Sequence, residues 1–311
     1  MSGGASPAPS SSPPRLGDEE LADLERLVGQ ALRSADEEAL PILGYGEISL
    51  VLAWPPAPST GERRFACKRL PAFGTDALFE RYRETLRDYI AALEATGMHV
   101  VPTELRGVEL PGGAVAGYVV QPILPSEQLA PAVLAAAGQA DAVALIEAVT
   151  SQTAATIGPH LGLDAQLSNW IWDGEALTYI DVSTPLIWDA SGRCLLDLEL
   201  IAQPFPPPLR WPLRRFLAPR ILDGYRDLRG VFLDLCGNLL KARLDRRLPE
   251  FVAAANEHLA EPLTVAEVER YYRSDRRLWA ALLWLRMLDR AWQRNVRRRA
   301  YPYLLPGRTE R

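Results

Sequence analysis

The chain has 311 residues, enough to bury a large core as one domain or as two parts sharing a cleft. Hydrophobic residues make up 48% and charged ones 23%, a globular composition, and the net charge of -5 speaks against a general nucleic-acid binder, which needs a basic excess. The basic stretches RRFLAPR and RNVRRRAY read first as solvated helix faces, with an anion or membrane-surface contact as the alternative.

Cys67, Cys194 and Cys236 stand far apart with no CxxC spacing, which argues against a disulfide framework or zinc site and fits a reducing cytosol. The histidines, His99, His160 and His258, are scattered, so a metal here would be held by oxygen, as Mg2+ is. The opening MSGGASPAPSSSPPRLGDEE lacks a basic n-region and an apolar h-region. Residues 1–18 therefore read as a disordered Ser/Pro/Gly tail rather than a secretory signal. The late segment LWAALLWLRMLDRAW is interrupted by Arg286 and Asp289 and is too short to span a bilayer. The expectation is a cytoplasmic protein without stable membrane insertion.

In chain order, leucines at helical spacing predict a helix over 19–33. LPILGYGEISLVLAW reads as strand, Gly-x-Gly turn, strand, and RRFACKRL as a third strand after a PPAPSTGE loop. A helix follows over 76–96, with Leu78, Tyr82, Leu86, Tyr89 and Leu93 on one stripe and Gly97 as its C-cap. VVPTELRGVEL and AVAGYVVQPIL form a hairpin around Pro111-Gly112-Gly113. Past Pro125 the chain turns alanine-rich and helical, then gives two short strands, WIWD and LTYID, joined at Asp173-Gly174. PFPPPLRWP reads as a connector into a helical remainder, whose strip YYRSDRRLWAALLWLRMLDRAW reads as an internal helix. The class is α+β, with residues 19–124 as a sheet-bearing lobe and 125–311 as a helical one.

Three features carry chemistry. Gly44 and Gly46 flank a turn where backbone amides could approach phosphates. Lys68 ends the apolar stretch FACK, one hairpin later. Asp164, Asn169 and Asp181 then follow in GLDAQLSNWIWDGEALTYIDVSTP. Taken singly, each is ordinary turn or strand-edge chemistry. Together they match what phosphoryl transfer asks of a protein, namely phosphate positioning, charge neutralisation by lysine and Mg2+, and a carboxylate that accepts a hydroxyl proton.

On these residues the chain resembles the protein-kinase-like superfamily over residues 40–185, nearer its aminoglycoside-phosphotransferase and choline-kinase-like branch. It is also similar to a group of actinobacterial kinase-like proteins known as a domain of unknown function. The resemblance implies a bilobal fold and ATP- and Mg2+-dependent transfer to a hydroxyl of a small-molecule acceptor. By the same resemblance Gly44 and Gly46 match the nucleotide-covering loop, and Lys68 matches the third-strand lysine. Asp164 matches the catalytic-loop aspartate, and Asn169 and Asp181 match the metal ligands. VVQPIL, with Gln121 and Ile123, matches the segment whose backbone meets adenine. Glu84, with Glu80 and Asp88 one turn away, is the choice for the lysine's partner.

The departures are Ser49 in place of a third loop glycine, Gly162 where a histidine is usual, and VSTP after Asp181 in place of Phe-Gly. No Ala-Pro-Glu element follows, which disfavours a protein substrate. The main alternative is a nucleotide-binding, pseudokinase-like regulatory protein with little turnover. Nucleotidyl transfer to a protein, or a purely structural helical protein, are further ones. Trp188 or Trp211 are candidates to line an acceptor pocket, and Asp197 or Glu199 to bind a cationic acceptor, against the plainer roles of core and edge.

Overall fold

In the computed structural model the described residues are 15–34, 40–45, 50–55, 64–298, 301 and 303. The expected tail, except for residues 15–18, and Gly46 and Ser49 lie outside them. Helix α1 (Asp18–Ser34) opens with an acidic turn, and the Gly17 amide donates to Glu20 (2.9 Å). Strands β1 (Ile42–Tyr45), β2 (Leu50–Trp54) and β3 (Phe65–Arg69) pair antiparallel in sequence. Helix α2 (Asp76–Ala95) is capped by Thr75, whose hydroxyl accepts from the Leu78 amide, and stops at Gly97 (φ +83).

Strand β4 (His99–Val100) is followed by the hairpin β5 (Glu104–Glu109) and β6 (Val115–Pro122). β6 inserts beside β3, giving a five-stranded antiparallel sheet in the order β1-β2-β3-β6-β5. As a central strand β6 is buried on both faces, hence its unbroken apolar run. Ala116, Tyr118 and Val120 pack with the α1 stripe of Leu21, Leu24 and Val28, whereas Val115 and Val119 pack with Phe73, Phe79 and Tyr82 on the other side.

Helices α3 (Ala130–Ala136) and α4 (Gln139–Thr156) precede β7 (Trp170–Trp172) and β8 (Leu177–Tyr179), which turn at Gly174 (φ +105). β4 adds to β8 in parallel, so a second, three-stranded sheet runs β4-β8-β7. The remainder is α5 (Leu198–Ala202), α6 (Pro207–Pro212), a π turn (Leu213–Leu217) and α7 (Ala218–Gly224). These lead to α8 (Leu228–Lys241), α9 (Leu248–Asn256) and α10 (Val265–Asn295). The α+β class, the antiparallel sheet and the β7–β8 hairpin follow the sequence-based expectation, whereas the parallel addition of β4, whose Val100 was expected at the start of the β5 strand, does not.

Two expectations fail. The proline connector is helical over α6, because prolines in a helix's first turn need no amide partner. The strip 271–292 is not internal: within α10 only Val268, Leu282 and Arg286 are buried, while Trp284 and Trp292 are more than half exposed. Its apolar residues wrap too far round the helix for one buried stripe. No helix among the described residues is long and apolar enough to cross a membrane.

Candidate functional site

A cavity of about 610 Å3 lies between β1–β3, the segment after β6, the loop before β7, the residues after β8, and the helices from α5 onward. Its size suits a small-molecule site. Gly44, Lys68, Gln121, Ile123, Asp164, Asn169 and Asp181 all line it. Of the sequence-predicted residues, Gly46 lies outside the described region and Glu84 is not at the cavity.

Lys68 faces inward from β3, set by its register opposite Val51 and Val119. Its Nζ donates to both carboxylate oxygens of Asp181, at 2.8 and 2.9 Å. Asp181 sits two residues past β8. Its Oδ1 also accepts from the Ser183 amide (3.1 Å) and hydroxyl (2.7 Å), so VSTP closes a tight turn on the carboxylate where Phe-Gly was missed. Burial works to raise the Asp181 pKa, but Lys68 and Ser183 outweigh it and hold the group below the usual carboxylate range. It is therefore an anion at neutral pH.

The loop 162–169 is held from several sides. Tyr89 of α2 donates to the Gly162 carbonyl (3.2 Å), and Tyr179 of β8 donates to the Asp164 carbonyl (3.2 Å). Asn169 Nδ2 donates to that same carbonyl (3.0 Å), which turns its Oδ1 into the atom suited to a cation. Asp164 Oδ1 accepts from the Gln166 amide (3.3 Å). Gly162 fills the position where a histidine was expected for a steric reason: a Cβ there would come within 2.7 Å of the Tyr225 carbonyl oxygen. Gln121 Nε2 donates to the Ile180 carbonyl (2.8 Å) and to Thr103 (3.0 Å), tying β6 to the strand that leads into Asp181.

The expected Glu84 partner for Lys68 is overturned. Glu84 is exposed, and the inward face of α2 is taken by Phe79, Tyr82, Leu86 and Tyr89. Tyr82 instead donates to the Ser183 carbonyl (2.7 Å). Burial first, and then Asp181, push the Tyr82 and Tyr89 phenols up, so both act as neutral donors. The α2 helix thus grips the two loops of the cavity through phenols rather than through a carboxylate.

Other candidates resolve plainly. Trp188 is buried in the core and Trp211 is exposed; the tryptophan lining the cavity is Trp279. Asp197 caps α5 by accepting from the Glu199 amide (2.9 Å), and Glu199 pairs with Arg214, so neither lines the cavity. Burial pushes the Cys67 and Cys236 thiols up to about 12, which makes them inert packing groups.

Sequence reasoning missed Lys241, although a signal was present. The chain has only two lysines among 34 basic residues, and both line this cavity. It also missed Asp234 of α8, which accepts from Tyr271 (2.8 Å) and Asn238 (3.1 Å) and hydrogen-bonds the Gln166 side chain. Burial, with Asp275 adding, raises Asp234 to about 6 against the opposing Tyr271, Lys241 and Gln166.

The profile of a family of unknown function, DUF6206, matches residues 23–290, which takes in every site residue named above. The chain belongs to this family. No curated protein matches it. In this member of the DUF6206 family the cavity brings together side-chain oxygens, a lysine and a carboxylate-bearing loop. Among the described residues no three His, Cys, Asp or Glu side chains cluster to form a self-sufficient metal site. Asn169 and Asp181 do suit Mg2+, an ion usually held by one or two protein oxygens plus substrate phosphates.

Proposed function

We propose that the chain is an ATP- and Mg2+-dependent phosphotransferase of protein-kinase-like fold, acting on a hydroxyl of a small molecule. One observation carries this reading: Lys68 and Asp181, 113 positions apart, meet in the same cavity as Asp164 and Asn169. The antiparallel sheet bearing Lys68, followed by helices and the short strands that bracket Asn169 and Asp181, supports it as well.

The residues divide the work by their chemistry. Leu43, Val51 and Ala66, with Gln121 to Ile123 alongside, offer an apolar slot for a planar base; the Ile123 amide already donates to the Arg64 carbonyl (3.2 Å) and Pro122 has none to give. Lys68 holds phosphate oxygens once it leaves Asp181. Asn169 and Asp181 would hold Mg2+, which when bound neutralises phosphate charge. Asp164 takes the acceptor's hydroxyl proton. Mg-ATP is expected to raise the melting temperature of the wild type, and Asp181→Ala should erase that shift. Asp164→Ala should keep the shift but lower turnover by about 100-fold or more. Absence of any Mg-ATP shift in the wild type would overturn the proposal.

The second reading, a nucleotide-binding regulatory protein without turnover, is favoured by the Lys68–Asp181 ion pair itself. That pair engages the two groups that turnover needs apart, and α2 offers Lys68 no carboxylate in exchange. A Mg-ATP shift with neither ATP hydrolysis nor a phosphorylated product would select it.

A further inference from the structure

The cavity has two apolar walls with the polar loops between them. The sheet-side wall suits a planar base. The opposite wall is built by the chain from α5 to α7 and by α10, through Ile201, Phe205, Leu213, Leu217, Ile221 and Leu282. Leu213, Leu217 and Ile221 fall four residues apart, forming one stripe that runs through the π turn into α7. π turns inside helices recur at functional sites, because the extra residue re-aims side chains.

Among the described residues this second wall carries no anion: the carboxylates lining the cavity there are Asp164 and Asp181, both placed on the phosphoryl-transfer side, and the other charged side chains are the cations Lys68 and Lys241. A cationic aminosugar would find no counter-charge among the described residues of this wall, and most hydroxyls of a polyol would face hydrocarbon, the polar side chains its elements add being Tyr225 and Trp279. A hydrocarbon matches the rest of the wall.

We infer that the acceptor is an alcohol with an apolar body, its hydroxyl at Asp164 and its hydrocarbon against Leu213, Leu217 and Ile221. The inference rests on the phosphotransferase reading of the same site. In the step, the alcohol oxygen bonds to the γ-phosphorus of ATP and the bond from that phosphorus to the β–γ bridging oxygen breaks. The bond's electron pair leaves with ADP, and the hydroxyl proton passes to Asp164. The products are a phosphate monoester, ADP and one proton.

Such an alcohol can come from solution or from a bilayer. The outer side of the same segment exposes Trp211 and Phe216, stacked edge to face at 5.7 Å, with Arg215 over the Phe216 ring. Aromatic rings beside arginines are the chemistry of a bilayer interface, so both sources enter the test.

The full chain is titrated, with and without Mg-ATP, with octan-1-ol in solution, with dodecan-1-ol in phosphatidylcholine vesicles, and with glucosamine. Binding is read by melting temperature for octan-1-ol and glucosamine and by co-flotation for vesicles. Transfer is read by the mass of one added phosphate. An alkanol is expected to bind and to be phosphorylated while glucosamine is not, and the arm that responds identifies the source. Leu217→Gln and Ile221→Gln, at half-buried positions that tolerate a polar group, should weaken alkanol binding about tenfold or more and keep the Mg-ATP shift. Alkanol binding unchanged in both variants, or glucosamine as the better substrate, overturns the inference. A Mg-ATP shift without alkanol binding in either arm removes the apolar acceptor alone. Alkanol binding without a Mg-ATP shift removes the phosphotransferase reading and, with it, the acceptor role.

Discussion

Two neighbouring cations on β3 occupy opposite faces of the sheet and meet different fates. Arg69 points outward beneath α1, where both of its bonds to Glu25 are 2.8 Å and Tyr118 donates to the same carboxylate. Lys68 points into the cavity, and its single Nζ donates to both carboxylate oxygens of Asp181. The outer pair is closed, with side chains 12% and 10% exposed, and burial is overcome by Glu25 so that the Arg69 pKa lies above its usual value. The inner pair is more open, at 18% and 28%, beside a cavity large enough for a competing ligand. Similar bond lengths therefore do not imply an identical role. What distinguishes them is whether anything else can reach the charges. Residue type fits this division, since arginine suits a fixed fork and lysine a point charge that can change partners.

The comparison can be broken most forcefully by removing one carboxylate at a time. Glu25→Ala strands a buried guanidinium and should lower the unfolding free energy by about 3–5 kcal/mol. Asp181→Ala, measured by urea unfolding without nucleotide, should cost at least about 2 kcal/mol less, because water reaches Lys68. Equal costs would mean that the inner pair is as structural as the outer one.

A smaller effect is expected from Asp234, which braces the cavity loop through Gln166. Its folded pKa of about 6 exceeds the usual 3.8, so its ionisation destabilises the fold. The sign follows from that shift: both states are protonated below pH 4, stability is lost as pH rises from about 4 to 6, and the full cost applies above. By linkage the loss is on the order of 2–3 kcal/mol. The melting temperature of Asp234→Asn minus that of wild type should therefore climb between pH 4 and 6.5 and then level off. A difference that stays flat across this range would contradict the burial argument.

The smallest effect belongs to Glu84. Since it is exposed and Lys68 is held elsewhere, Glu84→Ala should change the unfolding free energy by no more than about 0.5 kcal/mol and leave the Mg-ATP shift intact. A lost shift would mean that α2 rotates to deliver Glu84 when nucleotide binds.

Much of the local structure was legible from the chain. The α2 stripe, the Gly97 stop, the β5–β6 hairpin and the Asp173-Gly174 turn each follow from periodicity or backbone chemistry within a few residues. The spacing of Lys68, Asp164, Asn169 and Asp181 was legible too, because each residue type limits the chemistry available. Partners distant in sequence were not. Glu25 lies 44 positions from Arg69 and looks like any solvent-facing glutamate of an amphipathic helix. Glu84 had the right type on the right helix, but the tyrosines of α2 occupied its inward face.

The sequence by itself determined the elements, the class and the candidate polar groups, since these depend on local spacing and on which atoms each side chain carries. Only the tertiary structure decided which carboxylate meets which cation, which tryptophan reaches the cavity, and which apolar side chains of the later helices share that cavity with Asp164. Those outcomes depend on register, helix rotation and the close approach of Gly162 to Tyr225, which are set by packing between segments far apart along the chain.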